Sequence, residues 1–236
     1  MSMPSFTIYP ICENAVTLQF GSGINLETNN KVLQYQQAIQ QANMPGFIEC
    51  VPAYTSLSVY FDLLVVSRSS LSGETSFEKV SGFIQSITIE ESEDAESTLL
   101  EIPVCYDEEF GIDLFELSKE LKISIEEIIK LHSNKAYTVY MIGFTPGFPY
   151  MSEVDSKLEC SRKASPRRKV PAGSVAIAGK QTGIYPFDTP GGWQIVGRTP
   201  FSLFSTENNP PSLLRAGVQV KFKPITRREF DVLTRA

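Results

Sequence analysis

A single histidine and a single tryptophan stand among 236 residues, and the four cysteines, Cys12, Cys50, Cys105 and Cys160, are scattered without a C-x-x-C pair. With so few donors a structural zinc site lacks ligands, and the thiols read as buried residues of a reducing compartment. Long apolar runs are missing too. The densest, Phe61 to Val66, is interrupted by Asp62 and falls far short of the roughly 20 residues a membrane-spanning helix needs. Met1 to Pro10 hold no positive segment followed by an apolar one, so neither secretion nor membrane insertion is expected and the chain reads as cytoplasmic. Positive charge is in deficit, 21 Lys and Arg against 27 Asp and Glu, and the net charge of −6 excludes a nucleic-acid footprint spread over the surface. A local basic patch is still allowed.

What is there is ordinary globular material, 42% hydrophobic and 20% charged, enough for one large domain or two modest ones. Phe6 to Ile11 and the alternation of Val16, Leu18 and Phe20 predict two strands. Val32, Tyr35, Ile39 and Ala42 recur at helical spacing, with Asn25 or Thr28 placed to cap the start. Pro45-Gly46 breaks that helix; strands Phe47 to Val51 and Leu57 to Phe61 follow, and Phe77, Val80, Ile84 and Ile87 repeat the helical pattern. The order ββαββα predicts a small antiparallel sheet with helices on one face, an α+β domain over residues 1–90.

The run Glu90 to Glu96 is acidic and self-repelling, so it is read as a linker or exposed loop. A second domain is expected over 91–236. Leu99 to Val104 is a possible closing strand; Asp113 to Leu121 and Ser124 to His132 read as helices, the latter opened by Ser124-x-x-Glu127. Beyond them Tyr137 to Phe144, Val170 to Ala178, Trp193 to Val196 and Val218 to Phe222 alternate with Gly/Pro turns, the texture of a compact β-barrel or sandwich.

Eight of the fifteen glycines and nine of the fifteen prolines fall between Gly143 and Pro211. Proline fixes φ and glycine permits unusual backbone, so Gly143 to Tyr150 is expected to be a rigid, aromatic-lined turn or a tight barrel corner. Gly173 to Thr182 has the look of a phosphate-binding loop, but five residues separate its glycines and Gln181 replaces the magnesium-binding hydroxyl. That reading is rejected. Arg162, Lys163, Arg167, Arg168 and Lys169 put five cations into eight positions, suited to phosphate or carboxylate, to a partner protein, or to solvent alone. His132 is the default general acid/base, with a helix cap or a core hydrogen-bonder as the alternative.

Long motifs then carry a likeness. Tyr140 to Tyr150 (YMIGFTPGFPY), Pro166 to Val175 (PRRKVPAGSV), Gln181 to Pro186 (QTGIYP) and Pro190 to Gln194 (PGGWQ) through Gly197 to Pro200 resemble the Kip-inhibitor family, also called allophanate hydrolase subunit 1. Pro45 to Glu49 and Pro52 to Leu57 extend the resemblance over nearly the whole chain. The resemblance implies an α+β N-terminal domain followed by a cyclophilin-like β-barrel. Many bacterial members act as the B component of 5-oxoprolinase, which is not autonomous. It works with a second cyclophilin-like protein, the C component of the Kip-antagonist type, and with a lactam-opening A component; together they convert 5-oxoproline to glutamate using ATP. Two alternatives share the same motifs: an inhibitor of a sporulation histidine kinase, and half of an allophanate- or urea-processing carboxyltransferase. The expected site gathers six residues in one barrel pocket. His132 and Arg198 are the catalytic candidates; Arg167, Gln181, Tyr185 and Trp193 are the substrate-binding ones.

Overall fold

The computed structural model describes residues 6–89 and 98–235; the acidic run Glu90 to Glu96, expected to be a linker, lies outside the described residues. Two compact units divide the chain, Met1–Ala95 and Glu96–Ala236.

The first unit contains β1 (Thr7–Cys12), β2 (Ala15–Gln19), α1 (Leu26–Gln41), β3 (Phe47–Pro52), β4 (Ser56–Phe61), α2 (Leu63–Arg68) and α3 (Ser76–Ser86). Its four strands form an antiparallel sheet in the order β1-β2-β4-β3. Period-2 alternation sends Val16, Leu18, Leu57, Val59 and Phe61 to one face, where Val32 and Ile39 of α1 and Val80 and Ile84 of α3 cover them. Asn25 caps α1 through the Thr28 N–H, and Thr75 with Glu78 forms a reciprocal capping box on α3. One short helix was not expected. Asp62, which interrupts the apolar run, accepts the Val65 N–H and so nucleates α2 directly after β4.

The second unit begins with β5 (Leu99–Cys105), α4 (Leu114–Leu121) and α5 (Ile125–Ser133). The strands β6 (Ala136–Ile142), β7 (Pro149–Glu153), β8 (Arg167–Val170), β9 (Ser174–Ala178), β10 (Gln181–Ile184), β11 (Thr189–Gly191), β12 (Gln194–Arg198) and β13 (Gln219–Ile225) follow, then α6 (Arg227–Thr234). Seven strands close into a barrel in the order β10-β7-β6-β13-β5-β12-β9. Among the described strands only β13 and β5 pair in parallel. In β13 the pattern is plain: Val220 and Phe222 point inward while Lys221 and Lys223 stay exposed. Leu114 and Leu117 of α4 and Ile128 of α5 join the barrel's interior cluster, so the helix pair packs into the same core. Deleting a buried ring such as Phe222 is expected to cost about 3–5 kcal/mol.

The single strand expected from Val170 to Ala178 is two. Pro171 cannot continue the ladder, and Gly173, at φ +80°, turns the chain so that β8 leaves the barrel and pairs with β11 as a separate ribbon. That ribbon lies over the outer face of the barrel wall, where Val170 packs with Ala176, Ala178, Ile195, Phe148, Tyr185 and Trp193 in a second, aromatic cluster.

Candidate functional site

The aromatic cluster is built by glycines that let rings approach backbone. A Cβ on Gly183 would sit 2.8 Å from the Pro149 carbonyl and 3.1 Å from the Phe148 ring, and one on Gly191 would sit within 2.3 Å of the Tyr185 hydroxyl. Phe148 stands edge-on to Tyr185 and to Trp193, with centroids 5.2 and 5.5 Å apart, and Tyr150 closes the group 5.9 Å from Trp193. The turn before it is strained at its tip. Phe144 has φ +63° and is 63% exposed, a conformation that costs free energy and here displays an aromatic ring to solvent.

Beside the aromatics lies a charged hub on Asp113, whose side chain is only 1% exposed. Its Oδ2 accepts the Ile195 N–H at 2.7 Å, and its Oδ1 receives Lys163 Nζ at 2.6 Å and Arg167 Nη2 at 2.5 Å. Burial pushes its carboxyl up, but the bonds from Arg167, Lys163 and the Ile195 N–H outweigh that and hold it below the usual carboxylate range. Lys163 also reaches Glu116 Oε2 at 3.3 Å, and the Asp113 bond raises its own pKa against desolvation. The second terminal nitrogen of Arg167, Nη1, is buried without a hydrogen-bond partner.

Between α4 and the segment 161–165 the surface opens into a cleft of about 520 Å³, lined by Glu116, Glu120, Ser161, Arg162, Lys163 and Gln194 among others. The segment is anchored on both sides of Arg162: Gln194 Nε2 donates to the Ser161 carbonyl at 3.1 Å, and the Lys163 N–H donates to Gly192 O at 2.7 Å. The Arg162 guanidinium lies 5.9 Å from the Trp193 ring centroid, a cation–π placement. A larger groove of about 760 Å³ runs between α6 and the β5–β13 pair. Neither opening has an aromatic lining residue; in this groove Lys223 stands 3.8 Å from Glu101 and Glu229 accepts the Thr226 N–H. The smaller cleft is lined mainly by polar and charged side chains, among them Arg162 and Glu120, which converge on it from the segment 161–165 and from α4.

The six residues expected in one pocket separate into three places. Arg167, Tyr185 and Trp193 come together at the ribbon and the aromatic cluster, next to Asp113 and Arg162. Gln181 sits on the same outer face of β10, since Thr182 and Ile184 point inward, but its amide Nε2 is bonded to the Met151 carbonyl at 3.1 Å. Arg198 is elsewhere, its Nε donating to Ala172 O at 2.8 Å and its guanidinium 5.9 Å from the centre of the Phe110 ring.

His132 needs a correction. The imidazole is fully buried inside the barrel unit, stacked on Phe222 at 4.6 Å, and burial pushes its pKa down to about 3. Thr182 Oγ1 donates to the Ala176 carbonyl at 3.0 Å, so it accepts from His132 Nε2–H, while Nδ1 accepts the Tyr106 hydroxyl; both bonds are 2.9 Å. Both nitrogens are satisfied and neither faces a ligand, so the ring is a neutral core hydrogen-bonder, not an acid/base group at a substrate. Asp113 and Arg162 were missed as individual residues. The first looked like a helix start and the second was one of five neighbouring cations; only long-range pairing distinguishes them.

The Gly173 to Thr182 stretch is the β9–β10 hairpin with Gly179-Lys180 as its turn, not a strand-to-helix phosphate loop. Among the described residues, no group of three or more His, Cys, Asp or Glu side chains is placed to hold a metal ion, and no helix is long and apolar enough to cross a membrane.

Comparison with known proteins gives a consistent picture. The profile of the carboxyltransferase domain, subdomain C and D, matches residues 6–214. The B subunit of 5-oxoprolinase from Bacillus subtilis (strain 168) is 45% identical over 228 residues, 95% of each chain. The protein of the same name from Escherichia coli O157:H7 is 37% identical over 218 residues, 92% of this chain and 94% of that one. The crystal structure of TTHA0988 matches with a TM-score of 0.78 at 35% identity, over 93% of this chain; this chain spans 40% of that longer one. The chain therefore belongs to the carboxyltransferase domain, subdomain C and D, family, among relatives named as the B subunit of 5-oxoprolinase.

Proposed function

We propose that this chain is the B subunit of an ATP-dependent, cytoplasmic 5-oxoprolinase. In it a cyclophilin-like barrel over 91–236 and an α+β domain over 1–90 act with a second cyclophilin-like protein, the C component, and with the lactam-opening A component. The observation that carries this reading is the 45% identity to a 5-oxoprolinase B subunit over 95% of both chains. The chemistry is coherent with it. A lactam is a poor electrophile until its oxygen is phosphorylated, and cations near a transferring phosphoryl group stabilise the developing charge.

This chain's own residues do not fit ATP well. The Arg162–Lys163 cleft carries Glu116 and Glu120 on its other wall, where they oppose a triphosphate, and among the described residues the one glycine-lysine stretch resembling a phosphate loop is a hairpin turn. ATP therefore belongs to the assembled complex in this reading. Arg167, Tyr185 and Trp193 form the substrate-side wall, Gln181 and Arg198 hold the surrounding turns, and His132 is scaffold.

A second reading, half of an allophanate- or urea-processing carboxyltransferase, draws on the description of the matching family. Reconstitution separates them. The three co-expressed components are expected to form glutamate from 5-oxoproline with ATP consumption, while the isolated chain releases no phosphate. Robust turnover by the isolated chain overturns the non-autonomous assignment. An assembled trio that forms no glutamate, or a chain that instead co-purifies with a biotin-carrier protein, overturns the 5-oxoprolinase assignment.

A further inference from the structure

We infer that the cleft between α4 and the segment 161–165 is the subsite of a small carboxylic acid that also carries an N–H donor, with Arg162 taking the carboxylate and Glu120 the N–H. The identity of the ligand rests on the proposed lactam substrate; the existence of the site does not.

Most of the charges around the cleft are already committed. Lys163 and Arg167 are held by Asp113, and Lys163 by Glu116 as well, so neither is free to release its partner without exposing a buried carboxylate. Arg162 and Glu120 have no ion pair with a described residue, although both line the same cleft. One unpaired cation and one unpaired anion on opposite elements favour a ligand with complementary ends. They disfavour a polyanion, which Glu116 and Glu120 repel.

Geometry adds preorganisation. The backbone on either side of Arg162 is tied down, at Ser161 O by Gln194 and at Lys163 N–H by Gly192 O. The guanidinium also lies 5.9 Å from the Trp193 ring centroid, a contact that biases where the side chain rests before a carboxylate arrives. A planar fork of donors matches a carboxylate in bidentate fashion. Asp113 is a positioning residue in this scheme, because it fixes Lys163 and Arg167 without touching the ligand. The cleft's volume of about 520 Å³ accommodates a molecule of amino-acid size with its waters.

Trp193 is the chain's one tryptophan, so its fluorescence reports this place alone. The full chain is titrated with 5-oxoproline, with cyclopentanecarboxylate as the ring acid lacking an N–H, and with inorganic phosphate and ATP as the other oxyanions. The expected result is a saturable Trp193 change with 5-oxoproline and weaker binding of cyclopentanecarboxylate. Arg162→Ala is expected to weaken 5-oxoproline binding by about tenfold or more, the usual worth of a charge-assisted bond. Arg162→Lys should be intermediate, Arg168→Ala unchanged, and Glu120→Ala, which removes the acceptor, should erase the preference for the N–H-bearing acid.

Absence of a saturable change, indifference to Arg162→Ala, or stronger binding of phosphate or ATP than of either acid overturns the inference. The assembled trio keeps the two proposals apart. Normal 5-oxoproline opening with an unchanged KM in the Arg162→Ala trio sinks the subsite and leaves the 5-oxoprolinase assignment standing. Acid binding at the cleft by a wild-type trio that opens no lactam does the reverse.

Discussion

Replacing Asp113 tests whether the hub beside the aromatic cluster holds the barrel unit together through charge or merely through shape. Its carboxylate is 1% exposed and takes three donors, the Ile195 N–H, Lys163 and Arg167. Removing one partner of a fully buried pair costs about 3–5 kcal/mol. Here the orphaned cations keep 21% and 25% side-chain exposure and regain water, so Asp113→Ala is expected to cost less, about 2–3 kcal/mol. Asp113→Asn keeps an acceptor for Ile195 and loses only the charge, for about 1–2 kcal/mol.

The pH dependence separates charge from shape. The carboxyl is held below its unfolded value of about 3.9, so its contribution is fully present above roughly pH 5. It is lost as pH falls through the folded pKa. Urea unfolding followed by Trp193 fluorescence reports the barrel unit only, and a 2 kcal/mol loss moves the midpoint by about 1 M. The gap between the natural chain and Asp113→Asn should be open at pH 7 and smaller at pH 3. An equal gap at both pH values refutes the electrostatic argument, and no gap at either refutes the hub's importance.

His132 gives a second pH signature at higher pH. Its folded pKa near 3 lies below the unfolded 6.5, so barrel stability should fall by about 1.4 kcal/mol per pH unit below pH 6.5, a slope that His132→Gln removes. A flat profile between pH 6.5 and 5 in the natural chain contradicts the buried neutral imidazole. Gly191→Ala should lower the urea midpoint by an amount equivalent to about 1–3 kcal/mol, because its Cβ would collide with the Tyr185 hydroxyl, and should shift Trp193 emission. A neutral effect would show that the ribbon is looser than its packing implies. Glu116→Gln, by contrast, touches only an exposed contact to Lys163 and should change stability by less than about 1 kcal/mol; a larger loss would place Glu116 within the hub itself.

Periodicity carried the elements, and pairing decided the site. The alternation in β2, β4 and β13 and the 3.6-residue spacing of α1 and α3 are local signals, and they place those elements close to where they occur. Local signals fail where one residue changes meaning with its neighbours. Asp62 looks like an interruption of an apolar strand but caps a helix, and Pro171 with Gly173 divides an apparent strand into a ribbon and a barrel stave. The site is harder still, because its members lie far apart: Asp113 finds Arg167 across 54 residues and Ile195 across 82. A lone histidine invites an acid/base role on chemical grounds, yet its chemistry is set by burial, which a local window does not reveal. His132 meets Thr182 fifty residues away and becomes a hydrogen-bonded part of the core. The reverse holds for Arg162. Among five nearby cations it looks interchangeable, and it becomes distinct only when Asp113 takes two of the others and leaves it, with its backbone tethered on both sides, lining the cleft without an ion pair to a described residue.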